Sequence, residues 1–208
     1  MNTHITRPLI LQFGTSRFLQ AHVDYFVSKS LSDKRTDTSI LVVQSSDSAA
    51  GKSRVTAMNK HASYPIKIQG ISDGLIIDTV EEVNSIVGAL QADKDWDKIV
   101  TQFCHNVSHV VSNTADQGFQ LDVHDSILSH PPKSYPAKLL VLLFARYEFS
   151  HIPVTMMPCE LIANNGAVLK SIVIDLAKQW KMDYEFIIWM EEACFWVNSL
   201  VDRIVSES

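Results

Sequence analysis

Three short polar clusters in this chain carry residues that could do chemistry: Gly14, Thr15, Ser16 and Arg17; then Ser112, Asn113 and Thr114; then Cys159 with Glu160. In the first, an apolar run (Leu9, Ile10, Leu11, Phe13) stops at a glycine, and two hydroxyl residues lead into an amphipathic stretch, all within "LILQFGTSRFLQAHVDYFVSKSL". A strand that turns sharply into a helix offers main-chain N–H groups and the positive end of the helix dipole to an anion, the grammar of a nucleotide-binding turn. Arg17 adds a cation with a planar donor fork. Of a G-x-G-x-x-G pattern only the first glycine is present, because Ser16 and Leu19 stand in the other two places. The residues alone therefore leave two readings, a pyrophosphate cradle or a tight turn at Gly14 with Ser16 capping a helix.

The end of the next apolar run is the place where a dinucleotide site reads the adenosine ribose, usually with an acid that accepts its hydroxyls. Here the sequence is "VVQSSDS": Gln44 replaces the acid and Asp47 lies a little beyond, while Lys52 and Arg54 could neutralise a 2′-phosphate. NAD is the expected cofactor, with NADP left open. "HNVSH" places His105 and His109 four apart beside Cys104, a spacing that could hold a metal on a helix face. His109 belongs to the following strand pattern, however, and no third ligand accompanies the pair, so no metal is expected. Neither a G-x-S-x-G elbow nor a P-loop lysine occurs.

These clusters need elements to position them. Leu19, Val23, Phe26 and Val27 form one apolar stripe on a helix that Ser16 caps and that runs to about Leu31. "ILVVQ", residues 40–44, reads as a buried parallel strand. A weak helix covers residues 49–58, and "YPIKIQG" and "GLIIDTV" form a hairpin around a Ser-Asp-Gly turn, inserted at the sheet edge. Helices follow over residues 83–90 and from about Asp95, then a strand over residues 109–114. "SYPAKLLVLLFARYEF" predicts a buried helix with Ser134 as cap and Pro136 in its first turn, "IPVTMMPCE" a strand. A helix with Leu169, Ile172, Val173, Leu176, Ala177 and Trp180 on its face comes next, and Asp183 caps a last one through Cys194. Alternating helices and apolar strands specify an α/β fold, a doubly wound and mostly parallel sheet with helices on both faces, which binds ligands at the carboxyl ends of its strands.

The totals narrow the partners. With 208 residues, 46% hydrophobic and 20% charged, the chain reads as one ordinary globular domain. A net charge of −5 argues against a nucleic-acid surface, which needs clustered Lys and Arg. Cys104, Cys159 and Cys194 are few, odd in number and far apart, so free thiols in a reducing compartment are expected. "MNTHITRPLI" shows no basic segment followed by a long apolar stretch, and the longest strongly apolar run is too short for a bilayer. A cytoplasmic location and no membrane partner are the expectation.

Five phrases, "ILQFGTSRFLQAHVD", "VSNTADQGF", "SYPAKLL", "PCELIANNG" and "VNSLVDRIV", occur in one order along the chain. Together they resemble the N-terminal domain of the polyol-specific long-chain dehydrogenases, the group of mannitol dehydrogenase, altronate oxidoreductase (tagaturonate reductase) and fructuronate reductase. "SYPAKLL" and "PCELI" lean toward the hexuronate side. The resemblance covers essentially all of residues 1–208 and implies a Rossmann-like domain binding NAD(H) through Gly14, Thr15, Ser16, Arg17, Phe18, Gln44, Ser45, Asp47, Asn113 and Thr114. It further implies that Asn113 and Thr114 lie by the nicotinamide and that Glu160, Asn165 and Lys138 face a substrate cleft, although Lys138 equally fits a helix surface. Asn198, Asp202 and Arg203 would mark the passage to a second domain, where an apolar patch over residues 197–205 should be exposed or covered by a neighbouring chain or a second copy.

The family's general base is a lysine in a following helical domain, in a K-x4-N-x2-H arrangement, and that spacing occurs nowhere in these 208 residues. Hydride transfer needs both the cofactor and a base on the substrate oxygen, so little turnover by this chain unaided is expected. Three functions stay open. They are the cofactor domain of an NAD-dependent oxidoreductase for a sugar alcohol or sugar acid, a non-catalytic NAD(H)-binding module or partner subunit, and a domain for another nucleotide-like ligand such as S-adenosylmethionine.

Overall fold

A computed structural model describes residues 8–61, 63–114 and 118–206. The first unit forms as its sequence dictates. Strand β1 (Leu9–Phe13) lies between β2 (Ser39–Gln44) and β6 (Val107–Ser112), parallel to both. Outside β2 runs β5 (Ile86–Gln91), and beyond β6 come β7 (Thr155–Pro158) and β8 (Phe195–Trp196). The order β5-β2-β1-β6-β7-β8 is a doubly wound sheet in which every pair is parallel. Strand order reverses between β1 and β6, and a crevice opens at that switch point.

Alternation along the strands fills both faces. Leu11, Phe13, Leu41 and Val43 point to one side, where they meet Trp96, Ile99 and Phe103 of α4 (Ala92–His105), the apolar face of α5 (Tyr135–Ser150), and Leu169 and Val173 of α6 (Asn165–Gln179). Ile40 and Val42 point to the other, against Val23 and Val27 of α2 (Val23–Ser32) and Val55 of α3 (Ala49–Lys60). Each such buried side chain contributes about 2 kcal/mol of apolar transfer. Within the first face, Arg146 is 4% exposed and donates to four carbonyls: Nη1 to Phe103 and Cys104, each at 2.6 Å, Nη2 to Val107 at 3.1 Å, and Nε to Ile152 at 3.1 Å. A cation is thereby set at the carboxyl end of α4, where the helix dipole favours it.

Several expectations are corrected. The helix after Gly14 is broken at His22 (φ −118°, ψ −85°) into α1 (Arg17–Ala21) and α2. Residues 83–90 form no helix: Val83 ends the strand Leu75–Val83 and most of the remainder is β5, because buried β2 needs a parallel partner and Ile86 and Val87 suit an edge strand. Helix α4 starts three residues before Asp95, which instead marks a kink. The hairpin, β3 (Tyr64–Ser72) and β4 (Leu75–Val83), does not extend the main sheet but forms its own two-stranded one, closed by Asp73 and Gly74 with φ of 52° and 78°. Both positive φ values fit a type I′ turn. Asp183 does cap α7 (Tyr184–Ile188), and a π-helical turn (Trp189–Ala193) carries the chain on to Cys194. The three cysteines are buried free thiols. Among the described residues no helix is long and apolar enough to cross a membrane.

Candidate functional site

The site grows from Gly14. Its φ of +126° is a conformation that L side chains rarely adopt, and a Cβ there would lie 2.5 Å from the Asn113 carbonyl oxygen. With no side chain at Gly14, the end of β1 closes onto both neighbouring strands: Gly14 N–H donates to Val43 O of β2 and Asn113 N–H, just past β6, to Phe13 O, each at 3.0 Å. Ser16 then caps α1, its hydroxyl accepting from Leu19 N–H at 3.3 Å and donating to Asn113 Oδ1 at 3.3 Å. Phe18 stacks on His22, with ring centroids 5.0 Å apart, and packs beside Leu19, Val111 and Cys159. Arg17 lies on the outer side of α1, where it borders a separate cavity with Gln20, Arg54, His61 and Tyr64.

At the end of β2, Gln44 is buried. Its Oε1 accepts from the Thr15 hydroxyl at 2.9 Å, and its Nε2 donates to Ser46 O at 3.0 Å and Ser46 Oγ at 2.9 Å. Gly51 of α3 makes room for that amide, since a Cβ there would sit 2.2 Å from Gln44 Cδ. Arg54 reaches from α3 to Thr15, with Nη1 3.2 Å from the hydroxyl oxygen and 3.3 Å from the carbonyl. Asp47 is exposed and ion-paired with Lys52, whose ammonium holds the carboxyl below the usual range.

Beyond β6, the Asn113 side chain bridges three strands' ends, accepting from Ser16 and donating to Cys159 O at 2.9 Å. Glu160 is buried at the end of β7. One of its oxygens takes the Ser112 hydroxyl at 3.0 Å, and the other takes Thr114 N–H and lies equally close, at 3.1 Å, to the Thr114 hydroxyl. Burial pushes its carboxyl above the usual range, and these donors oppose the shift. Burial likewise raises the phenol of Tyr135, which packs between Phe13 and Phe119.

Together these ends enclose a cleft of about 460 Å³ over the switch point, lined by Gly14, Thr15, Ser16, Gln44, Ser45, Asn113 and Thr114. Ser46, Ser48, Arg54, Gly118, Gln120, Lys133, Ser134 and Tyr135 complete it. Arg17, Phe18 and Asp47 lie outside that lining, as do Lys138, Glu160 and Asn165. Lys138 is buried, donating to Lys133 O at 2.5 Å, and burial lowers its pKa to about 8. Asn165 is fully buried and spends its amide on Pro158 O, Glu160 O and Ser199, so it fastens the end of β7 to the segment after β8. Asn198 accepts from Ala167 N–H, Arg203 lies over the rings of Tyr25 and Phe26, and Asp202 is exposed. Val197, Leu200 and Ile204 are exposed as well, the last two above 90%. The wall formed by Lys133, Ser134 and Tyr135 escaped sequence reasoning; its one signal was the helix start at "SYP". Residues 115–117 of "VSNTADQGF" lie outside the described residues. His105 packs on Phe149, whereas His109 sits in β6, so the two histidines do not share a helix.

Chemically, the described lining residues offer hydroxyls, amides and the cations Arg54 and Lys133, with no carboxylate among them. A glycine cradle, hydroxyl donors and cations fit a phosphate-bearing dinucleotide.

A parallel, doubly wound sheet with such a cleft at its switch point is a Rossmann-type domain. The chain matches the model of the mannitol dehydrogenase Rossmann domain over residues 8–208, and it belongs to that family. It is 31% identical to an altronate oxidoreductase of Bacillus subtilis, covering 94% of this chain and 41% of the relative. With an altronate oxidoreductase of Bacteroides thetaiotaomicron the identity is 32%, over 94% of this chain and 41% of the relative. The chain thus spans about two fifths of these relatives' length. Among solved structures, a Pseudomonas fluorescens mannitol 2-dehydrogenase in ternary complex with NAD and D-mannitol superposes with a TM-score of 0.80 at 21% identity, over 96% of this chain and 42% of that one. A substrate-free D-sorbitol dehydrogenase gives a TM-score of 0.80 at 20% identity, over 94% and 42%.

Proposed function

We propose that this domain binds NAD(H) in the switch-point cleft and is the cofactor half of an oxidoreductase that interconverts a sugar alcohol or aldonate and its keto form, of the altronate type. The observation that carries the reading is the approach at Gly14, where a side chain would strike the Asn113 carbonyl and which leaves the amino end of α1 open for a pyrophosphate. Membership of the family and the likeness to altronate oxidoreductases support the substrate class. When bound, the nicotinamide supplies or accepts a hydride.

This chain's own residues bind and orient. Thr15, Ser16 and the first-turn main chain hold the diphosphate, and Gln44 and Ser45 stand at the ribose end. Asn113 and Thr114 form the nicotinamide side, kept in place by Glu160, whose carboxylate grips both Ser112 and Thr114. Asn165 locks the β7 end beneath them. A base for the substrate hydroxyl is a further requirement, and the K-x4-N-x2-H spacing is not present in these 208 residues.

Isothermal titration with NADH tests the reading. Saturable binding of one coenzyme per chain, competed by ADP-ribose, is expected. A folded protein that takes up S-adenosylmethionine but not NADH would overturn it.

A further inference from the structure

A dinucleotide site that selects an unphosphorylated ribose sets a carboxylate at the end of its second strand, where it accepts the ribose hydroxyls and repels a 2′-phosphate. In this protein that position is Gln44, a neutral amide already engaged by Thr15 and Ser46. Ser45, Ser46, Ser48 and Arg54 line the same end of the cleft. The acid nearest in sequence, Asp47, is outside the lining and is bound by Lys52, which itself lies 4.0 Å from Asp93. Arg54 is fastened to Thr15 through Nη1 alone among the described residues, which leaves other donors of its fork unspent, and it lines both this cleft and the neighbouring cavity bordered by Arg17 and Tyr64. A guanidinium beside serine hydroxyls, with no carboxylate among the described lining residues, is the donor set that a phosphomonoester dianion requires.

We infer that the β2 end of the cleft accepts a 2′-phosphorylated ribose, with Arg54 as the residue that pairs with the phosphate, so that the domain takes NADP(H) alongside NAD(H). The inference rests on the dinucleotide reading given above. It differs from that reading in making the ribose end permissive rather than selective.

Parallel titrations with NADH and NADPH, and with 5′-ADP and 2′,5′-ADP as fragments, test it. NADPH is expected to bind within about tenfold of NADH, and 2′,5′-ADP at least as tightly as 5′-ADP. Arg54→Ala should weaken NADPH about tenfold or more beyond any loss it causes for NADH, the scale of one lost charge-assisted contact. Ser45→Asp, which installs a carboxylate at the ribose end, should weaken NADPH about tenfold or more relative to NADH, and thermal melts confirm that both variants fold. NADH binding with NADPH weaker by more than about tenfold overturns the inference and leaves the dinucleotide reading intact. Equal losses of both coenzymes in Arg54→Ala overturn the role of Arg54. If a folded protein binds neither coenzyme, the dinucleotide reading falls and takes this inference with it.

Discussion

The Ser16 hydroxyl lies 3.3 Å from the carboxamide oxygen of Asn113, 97 residues away, and so ties the amino end of the first helix to the end of β6 across the switch point. The same Asn113 donates to Cys159 O, which brings β7 into the tie. Asn113→Leu removes both bonds and leaves buried partners unmatched, so a loss of about 2 kcal/mol of stability is expected. Denaturant melts read that loss, and NADH titration should show weaker binding in the same variant. Stability and affinity both unchanged would contradict the bridging role.

Gly14→Ala places a Cβ 2.5 Å from the Asn113 carbonyl at a φ of +126°. Relief requires the ends of β1 and β6 to part, which costs about 1–3 kcal/mol and misaligns the cradle. A lowered melting temperature together with at least about tenfold weaker NADH binding is the expected result.

Asp24 of α2 is buried, takes the Tyr64 hydroxyl at 2.9 Å, and has its carboxyl pushed up to about 7, chiefly by burial. A carboxyl whose folded pKa is raised binds its proton more tightly in the folded state than in the unfolded one. Its stabilisation is therefore complete below the ordinary value near 3.8 and is lost as pH rises toward 7. Asp24→Asn should melt above the wild type by a margin that widens from about pH 4 to about pH 8. Melting curves with the same offset at both pH values would refute this.

Arg146→Ala leaves four carbonyls without their donor and opens space beneath α5. About 3 kcal/mol of stability should go, measurable by urea unfolding, whereas Arg54→Ala at the cleft rim should cost under about 1 kcal/mol.

Legibility in the sequence followed how local each signal was. The turn at Gly14 and the cap at Ser16 were readable because a positive φ and a helix start each select residue types directly. The hairpin turn at Asp73 and Gly74 was readable for the same reason. Strand β5 was not, since Val83, Val87 and Leu90 also fit one helix face, and only the need of β2 for a neighbour decides between the two. The break at His22 has no proline or glycine to announce it. Lys138 and Arg146 look like helix-surface cations until the carbonyls that accept from them, at Lys133 and at the end of α4, are known. Asn165 looked like a residue for substrate, and its amide is instead used up inside the fold.

The central claim is that a dinucleotide occupies the cleft between the ends of β1, β2 and β6. Amide chemical-shift mapping on isotope-labelled protein titrated with NADH tests it most directly. The largest shifts are expected at Gly14, Thr15, Ser16, Ser45, Asn113 and Thr114, with little change in the β3–β4 hairpin. Shifts confined to the cavity bordered by Arg17, His61 and Tyr64, or no shifts in a folded protein, would contradict the account.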